Sequence, residues 1–514
     1  MARRRRKDPP RLGIDFGTTH TVVALVDRGN YPVVAIDGED AFPSLVAASR
    51  LTGELRFGSA AVPLRHDPDW EVLRSLKRFL SDGGPATGVL LGGHRFLLAD
   101  LLTGFLTALA DALVEDSNAG LSPGDPLEAA VSVPANSSSA QRFLTLDAFR
   151  RAGFSVTSLL NEPSAAGFEY AHRYRETITA KREYVVVYDL GGGTFDASLL
   201  RMTGRANDVV TSEGVRRLGG DDFDETIADL VASKAQLGTL SGAQRQLLVE
   251  ECGRQKEAIS PQTRRFLVDL SAFEKDPLAI PIDDVYDACE PLVSATIDAL
   301  TPVLRDARRE GESEVDWNEV AGIYIVGGAG AFPLVLRRLR ERFGEKRVRR
   351  SSQPFAATAI GLAITLDQEA GYTLEERLTR TFGVFREASG GGDVTFDPIF
   401  LKDTPLPRPG SPPLVAVRTY RAAHNIGHFR FLECGRLEAG RPDGDLSPWD
   451  DVRVPFDPAL RALASLQGVG VERREGGPVV EERYAITAEG AVEVRVTLPE
   501  DGFDETYRLR GARA

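Results

Sequence analysis

The spacing of apolar residues changes at about residue 371, and this change divides the chain into two regions. Before that point, short apolar runs alternate with longer stretches of helical periodicity. After it, short segments of alternating polarity are separated by Gly and Pro, a pattern typical of an antiparallel sandwich. We therefore predict an α/β domain over residues 12–368, a linker over 369–381 and an antiparallel β-sandwich over 382–514.

The clearest strand pattern is VVVYDLGGGTFD, residues 185–196. Its unbroken apolar run predicts a strand buried on both faces, which ends at Asp189 and continues into three glycines, Thr194 and Asp196. Glycines carry no Cβ, so backbone N–H groups can approach a phosphate closely, while the two aspartates can hold a hydrated Mg²⁺. A tight hairpin in which the glycines serve only turn geometry is the alternative interpretation.

A second segment near the N-terminus, LGIDFGTT at residues 12–19, repeats this arrangement. Asp15 ends its apolar strand, and Gly17, Thr18 and Thr19 occupy the turn before another apolar run. Two similar hairpins about half a domain apart indicate an internally duplicated fold, with one phosphate-binding loop from each half.

Helical periodicity predicts further elements around these hairpins. Trp70–Leu80 has the apolar spacing of a helix and places Lys77 near its end, where periodicity alone favours a solvated cation. Glu162 follows an apolar strand, at the strand end where α/β sheets usually place active sites. The segments 163–170 and 354–363 are predicted to be helices rich in small residues, which allow a neighbouring helix to approach closely.

In the C-terminal region, six short strands are predicted between residues 381 and 498, and the Pro- and Asp-rich segment Arg441–Pro458 is predicted to be a loop. His424 and His428 are four residues apart, but their predicted β context and the absence of a nearby third ligand favour surface histidines over a metal site.

Composition narrows the function classes. A chain of 514 residues needs more than one core, and a net charge of -13 argues against a nucleic-acid-binding surface. The three cysteines, at 252, 289 and 434, are far apart and include no CxxC, which favours a reducing compartment. No apolar segment follows the basic run Arg3–Lys7, and no run is long enough to span a membrane, so we predict a disordered basic tail over residues 1–11 and a cytoplasmic protein.

Five motifs, in this order, resemble the 70-kDa heat-shock chaperone family. They are IDFGTT at 14–19, LKRFL at 76–80, LLNEPSAAG at 159–167, YDLGGGTFD at 188–196 with LGGDDFD at 218–224, and VGGAGAFP at 326–333. The resemblance implies a duplicated actin-like (ribonuclease H-like) two-lobed ATPase domain followed by a β-sandwich that binds a substrate or partner. FLKDTPLP at 400–407 and YAITAEGAVEVRV at 484–496 resemble parts of that sandwich.

The same resemblance implies ATP or ADP and Mg²⁺ as ligands, and it assigns roles by position. Catalytic roles fall on Lys77, Asp15, Glu162, Asp189 and Thr194. Nucleotide contacts fall on Gly17, Thr18, Thr19, Gly191, Gly192, Gly193, Gly219, Gly220, Lys256, Ser260, Gly327 and Gly328. Mg²⁺ would be held, mainly through water, by Asp15, Asp189 and Asp196.

Some positions depart from the family pattern. Ala329 and Ala331 replace a Ser and an Arg common in the family, which predicts weaker nucleotide binding. The linker sequence YTLEERLTRT, residues 372–381, is mostly polar, so a helix extension or solvated spacer and a docking linker both remain open. Ser158 stands where an Arg often helps to recognise J-domain partners.

The favoured hypothesis is a slow ATP-hydrolysing, chaperone-like protein, a short form without the helical lid of the family. Its partners would be unfolded peptides or a dedicated client, with a J-domain co-chaperone and a nucleotide exchange factor, and neither nucleic acid nor membrane. The alternative is a nucleotide-switched regulator or scaffold. A sugar kinase or an actin-like polymer is less favoured, because neither has a use for the C-terminal sandwich.

Overall fold

The computed structural model describes residues 10–80, 83, 87–135, 137–216, 218–305, 317–408, 410–449 and 452–508. The predicted basic tail lies outside these residues except for Pro10 and Arg11, and Arg11 already begins the first strand. None of the helices in these residues is long and apolar enough to cross a membrane.

The first lobe covers residues 10–183 and contains two small sheets beside one five-stranded sheet. Its strands are β1 (Arg11–Phe16), β2 (His20–Leu25), β3 (Phe42–Pro43), β4 (Leu45–Ser49), β5 (Leu55–Phe57), β6 (Trp70–Arg74), β7 (Gly88–Leu91), β8 (His94–Leu97), β9 (Leu127–Val133) and β10 (Phe154–Asn161). Its helices are α1 (Leu98–Glu115), α2 (Ser139–Arg151) and α3 (Glu162–Arg173). The main sheet has the order β10-β9-β1-β2-β3.

The helix predicted over Trp70–Leu80 is wrong. Trp70–Arg74 is instead the strand β6, paired with β4, and Leu76–Leu80 forms a short 3-10 helix. Ser75 between them has a positive φ of 63°, which breaks any continuous helix. Lys77 consequently lies in a buried turn, and it is not a solvated cation at the end of a helix.

The second lobe covers residues 184–366 and is built on a six-stranded sheet. Its strands are β11 (Tyr184–Leu190), β12 (Thr194–Thr203), β13 (Ala206–Arg216), β14 (Arg265–Val268), β15 (Leu278–Pro281), β16 (Val320–Val326) and β17 (Val348–Arg350). Its helices are α4 (Gly220–Ala235), α5 (Gly242–Glu257), α6 (Ile282–Asp298), α7 (Leu300–Arg305), α8 (Pro333–Phe343) and α9 (Ala357–Leu366). A last strand, β18 (Thr373–Glu375), joins the sheet from the linker and gives the order β17-β16-β11-β12-β13-β18.

The predicted duplication is confirmed by the strand directions of the two main sheets. In the first lobe, β1 pairs parallel with β9 and antiparallel with β2, which continues antiparallel to β3. In the second lobe, β11 pairs parallel with β16 and antiparallel with β12, which continues antiparallel to β13. The two predicted hairpins are thus equivalent pairs in equivalent sheets.

The small-residue helices α3 and α9 pack closely where the lobes meet. A Cβ added to Gly361 would lie 1.7 Å from the carbonyl oxygen of Ala165, so the two backbones touch without a side chain between them. A Cβ at Gly13 on β1 would likewise lie 2.2 Å from the carbonyl oxygen of Ala359 on α9. The close approach predicted for these helices is therefore present.

The linker is neither a helix extension nor a solvated spacer. β18 pairs in parallel with residues 206–208 of β13 and so extends the ATPase sheet by one strand. Leu374 packs beside Tyr372 against the cores under α3 and α9.

The C-terminal domain is an antiparallel sandwich of two sheets, as predicted. Its strands are β19 (Thr381–Ala388), β20 (Asp393–Phe400), β21 (Leu414–Arg421), β22 (Ile426–Glu438), β23 (Arg441–Pro448), β24 (Val452–Pro455), β25 (Val479–Ile486), β26 (Val492–Leu498) and β27 (Phe503–Arg508). The sheets have the orders β20-β19-β22-β23, with β24 also on β22, and β21-β25-β26-β27. Phe382, Phe431 and Tyr484 meet in the core between them. The loop predicted over Arg441–Pro458 is wrong, because β23 and β24 both pair with β22 there.

Candidate active site

The tips of the two hairpins face each other across the cleft between the lobes. A Cβ added to Gly192 would lie 2.2 Å from the Thr19 Oγ1, and one added to Gly193 would lie 2.9 Å from the Thr18 Cγ2. Gly17 turns the first hairpin so tightly that its Cβ would lie 2.2 Å from the carbonyl oxygen of His20. Only backbone fits at these positions, which leaves N–H groups and threonine hydroxyls around one small space.

The start of α4 packs directly against the tip of the second hairpin. Gly220 N–H donates to the Gly191 carbonyl at 2.9 Å, and the Gly191 N–H donates to the Thr194 carbonyl at 3.0 Å. A Cβ at Gly219 would lie 2.6 Å from both the Gly192 oxygen and the Gly193 nitrogen. The glycines predicted to bind nucleotide at 191–193 and 219–220 thus form one continuous loop surface.

Lys77 and Glu162 form an ion pair near Asp15 and Asp196 of the two hairpins, with Lys77 Nζ donating to Glu162 Oε1. Both side chains are buried, since Lys77 is 7% exposed and Glu162 is 7% exposed. Asp15 stands beside them and accepts a hydrogen bond of 3.1 Å from the Ser132 hydroxyl. Lys77, Glu162 and Asp15, to which the resemblance assigned catalytic roles, therefore lie close together.

The carboxylates of the cluster carry more negative charge than one lysine can neutralise. Burial, together with the charge of Glu162, raises the pKa of Asp15 to about 7. Burial and the charges of Glu162, Asp15 and Asp196 raise the pKa of Asp189 well above its usual range. Burial lowers the pKa of Lys77, but Glu162 and Asp15 raise it more, so that it stays above its usual value and the lysine stays charged.

A divalent cation fits the charge of this cluster. Asp189 and Asp196 face each other across the β11–β12 ladder, and both are buried. Within the described residues, no group of three or more His, Cys, Asp or Glu side chains is close enough to hold one ion directly. A Mg²⁺ among Asp15, Asp189 and Asp196 would therefore be reached through its water ligands, which this ion gives up reluctantly.

The remaining predicted nucleotide contacts, Lys256, Ser260, Gly327 and Gly328, lie on the second lobe next to the glycine loop. Lys256 Nζ donates to the Gly220 carbonyl at 2.8 Å and pairs with Asp224 Oδ1 at 2.6 Å. Gly327, with φ of 80°, turns so closely under β11 that its Cβ would lie 2.3 Å from the Leu190 carbonyl oxygen. Lys256, Ser260 and Gly328 all line a cavity of about 880 Å³ that opens outwards from the loops.

Several contacts across the cleft were not predicted from the sequence, among them those of Arg78 and Ser75. Arg78 Nη2 donates to the Gly193 carbonyl at 3.4 Å and to Asp222 Oδ2 at 3.2 Å. Ser75 donates to Asp221 at 3.0 Å, which adds a second link between the lobes. Arg78 adjoins Lys77 in LKRFL and the aspartates belong to LGGDDFD, so both partners lay inside noted motifs, but nothing in their spacing pairs them.

Comparison with known proteins defines the class to which this fold and cleft belong. A family model described as "Hsp70 protein" matches residues 107–375. The chain belongs to the Hsp70 family, with the actin-like two-lobed ATPase fold and the β-sandwich of that family.

Several curated relatives carry the name "Chaperone protein HscA homolog". The protein of Methylobacillus flagellatus is 32% identical over 392 residues, which cover 71% of this chain and 59% of the relative. That of Pseudomonas fluorescens (strain SBW25) is 35% identical over 379 residues, 70% of this chain and 58% of the relative. That of Bordetella pertussis is 32% identical over 374 residues, with the same coverage of 70% and 58%. The matched part thus spans less than two thirds of the length of these relatives.

Proposed function

We propose that this protein is an ATP-hydrolysing chaperone-like protein whose β domain binds unfolded peptide or a dedicated client. The observation that carries the proposal is the buried Lys77–Glu162 pair, which lies near Asp15 and Asp196 of two hairpins whose tips leave room for backbone only. Names of relatives that include the word chaperone add support. We also propose that the protein is cytoplasmic. Its three cysteines are free and buried, as expected in a reducing compartment.

In this proposal the phosphates of ATP lie between the hairpin tips. Backbone N–H groups of residues 191–193 and the hydroxyls of Thr18, Thr19 and Thr194 bind their oxygens. Mg²⁺ supplies charge neutralisation of the phosphates there, with Asp15, Asp189 and Asp196 as its outer ligands. Because burial and then the neighbouring carboxylates raise the pKa values of Asp15 and Asp189, the residues present suit an added cation.

Hydrolysis then consists of attack by water on the γ-phosphorus and departure of ADP. Lys77 places its ammonium group where charge develops on the γ-phosphate, and the low exposure of the site strengthens that interaction. A neighbouring carboxylate, Glu162 or Asp189, accepts a hydrogen bond from the attacking water and orients it. We also propose that this hydrolysis is slow.

We further propose that the ATPase and the β domain are coupled, because the linker joins both. The Glu376 carboxylate accepts hydrogen bonds from Asn161 N at 3.0 Å and from Asn161 Nδ2 at 2.7 Å, one residue before Glu162. The Glu376 backbone carbonyl accepts from the N–H of Leu406 in the β domain at 2.7 Å. A single residue therefore contacts both the strand that ends one residue before the proposed catalytic carboxylate and the domain proposed to bind the client.

A second buried carboxylate lies between the β domain and the ATPase domain. Glu433, 3% exposed on β22, accepts from the backbone N–H of Ser139 at the first turn of α2, at 3.3 and 3.1 Å. A carboxylate at a helix N-terminus is favoured by the helix dipole. This contact also joins the β domain to the ATPase domain. We further propose a J-domain co-chaperone and a nucleotide exchange factor as partners.

A client surface is supported by exposed apolar side chains on β19, β20 and β21. Phe385, Val394 and Val417 are 36%, 62% and 44% exposed. β20 and β21 are the edge strands of their two sheets, and unpaired strand edges can bind an extended peptide. Asp397 on β20 links them by pairing with Arg418 on β21 at 3.0 Å.

The test compares wild type with Lys77→Ala in a steady-state ATPase assay with and without an unfolded model polypeptide. The expected result is hydrolysis that the polypeptide stimulates and that the substitution abolishes. Lys181→Ala, an exposed lysine outside the cleft, is the matched control and should behave as wild type. Hydrolysis that is indifferent to any polypeptide would favour the nucleotide-switched regulator or scaffold, and phosphate transfer to a sugar would contradict both.

A further inference from the structure

The cavity beside the glycine loops extends well past the proposed phosphate site. Its volume of about 880 Å³ falls near the top of the range for whole ligand pockets, roughly 300–1,000 Å³, although only residues of the second lobe line it. It runs from Gly328 along α8 as far as Glu341, so it follows about eight residues, or roughly 12 Å, of helix. Tyr286, Phe332 and Leu336 give it an apolar wall.

This cavity adjoins the glycine loop, so it can take the nucleoside of a nucleotide whose phosphates lie at the hairpin tips. Lys256 connects the two spaces, because its ammonium group binds the Gly220 carbonyl of the glycine loop and its side chain lines the cavity. Gly328 has no atom within 4 Å of an added Cβ, so the cavity is open at this point. Ala329 and Ala331 contribute only methyl groups to the wall.

Arg350 is the arginine of the wall that lies next to Ala331. It is the last residue of β17, and its Nη1 lies 3.5 Å from the carbonyl oxygen of Ala331. Among the described residues, no carboxylate forms an ion pair with Arg350, whereas Arg338 on the neighbouring helix is paired with Glu290.

Two further arginines of the wall, Arg337 and Arg340, lie on α8, and Arg340 lies towards the end of the cavity away from Gly328. The guanidinium carbon of Arg337 lies 5.0 Å from the centre of the Tyr286 ring, which is a cation–π contact. The Arg350 guanidinium has no aromatic partner of this kind within the described residues, so its face is available to a ligand.

We propose that Arg350 forms the nucleobase subsite, with its planar guanidinium against the face of a purine base. Arginine stacks on aromatic faces better than lysine does, because the guanidinium is flat and weakly hydrated. The two alanines at 329 and 331 leave the space that such a base needs. The proposal rests on the proposed nucleotide function and adds to it the residue that contacts the base.

The test measures the calorimetric affinity of the full chain for Mg-ADP and for Mg-pyrophosphate, which probes the phosphate end alone. Arg350→Ala should weaken ADP binding about fivefold, as expected for loss of one exposed cation–π contact, and leave pyrophosphate binding unchanged. Arg350→Lys keeps the charge without the flat group and should resemble Arg350→Ala. Arg342→Ala, an exposed arginine on α8 that does not line the cavity, should match wild type.

Three results would overturn the inference, and they differ in what else they affect. Equal ADP affinity of wild type and Arg350→Ala would remove Arg350 from the subsite and leave the nucleotide site intact. Equal weakening of ADP and pyrophosphate would show a general charge effect and no base contact. Failure of wild type to bind either probe would contradict the proposed nucleotide function itself.

Discussion

Replacement of Glu376 by alanine should release the linker from the ATPase domain. Glu376 is 8% exposed, and its carboxylate accepts from the N and Nδ2 atoms of Asn161. Burial raises the pKa of Glu376 and lowers the pKa of Arg142, although the charge of each opposes that change in the other. Both groups therefore lose solvation on docking, which makes the contact reversible and dependent on its hydrogen bonds.

The size of the effect follows from those bonds. Each hydrogen bond to a charged group contributes about 1.5–3 kcal/mol, and the variant also leaves the Asn161 groups without their acceptor. Recovery of the Glu376 desolvation cost offsets part of this loss. A net loss of about 3 kcal/mol remains, which is roughly a hundredfold change in the docking equilibrium.

Hydrogen exchange of the linker strand measures this equilibrium. The amides of Thr373–Glu375 are in the β13–β18 ladder, and the N–H of Thr373 donates to the Arg205 carbonyl at 3.0 Å. Exchange of this segment should be roughly a hundredfold faster in Glu376→Ala. Glu369→Ala, which removes an exposed carboxylate from the same connection, is the control. Unchanged protection in Glu376→Ala would refute the reasoning and assign docking to strand pairing and apolar packing alone.

The same carboxylate gives docking a defined pH dependence. Since burial raises the docked pKa of Glu376, docking is strongest below the undocked pKa, about 4.3, and weakens as pH rises through the docked pKa, because the ionised carboxylate keeps its hydrogen bonds but adds a desolvation cost. Linker protection should therefore fall with rising pH in wild type. Glu376→Gln should remove this slope while it keeps one acceptor for Asn161, and an identical slope in the variant would assign the dependence to another group.

Two glycine substitutions test the geometry of the cleft and of the helix crossing. Gly192→Ala would place its Cβ 2.2 Å from the Thr19 Oγ1. Nucleotide affinity measured by calorimetry should therefore fall at least tenfold, while the melting temperature changes little. Unaltered affinity would contradict contact between the hairpin tips. Gly361→Ala would place its Cβ 1.7 Å from the Ala165 carbonyl oxygen. The free energy of unfolding, measured by denaturant titration, should therefore fall by about 3 kcal/mol. A variant as stable as wild type would contradict the close packing of α3 and α9.

The hairpins could be predicted because their signals are local. An apolar run that ends in Asp, Gly and Thr defines both a buried strand and the chemistry of its tip, and both Asp15 and Asp189 lie where this pattern placed them. The duplication could also be predicted, since the two segments repeat one pattern. What the pattern could not give is the distance between the tips, because it depends on the packing of α3 against α9.

The two wrong predictions of secondary structure have equally specific causes. Residues 70–80 show helical spacing by coincidence, because a strand and a short 3-10 helix each bury residues that happen to be three or four apart. Arg441–Pro448 contains residues that are depleted in strands, yet it lies at a sheet edge, where Pro is tolerated.

Some contacts could not be predicted because they join residues that are far apart in the chain. β18 has only three residues, too few for periodicity, and its pairing with β13 is a tertiary contact. Arg78 and Asp222 are separated by 144 positions, and only the closed arrangement of the lobes brings them together. Their polar side chains alone are typical of solvated surfaces.

Single-turnover hydrolysis of Mg-ATP by wild type and Lys77→Ala tests most directly the claim that the cleft hydrolyses ATP. With saturating enzyme, release of the γ-phosphate should be at least a hundredfold slower in the variant, because Lys77 is the one ammonium group within the buried carboxylate cluster of the described cleft. ADP affinity, measured in parallel, should stay within a few fold of wild type. Hydrolysis by Lys77→Ala at the wild-type rate would contradict the account.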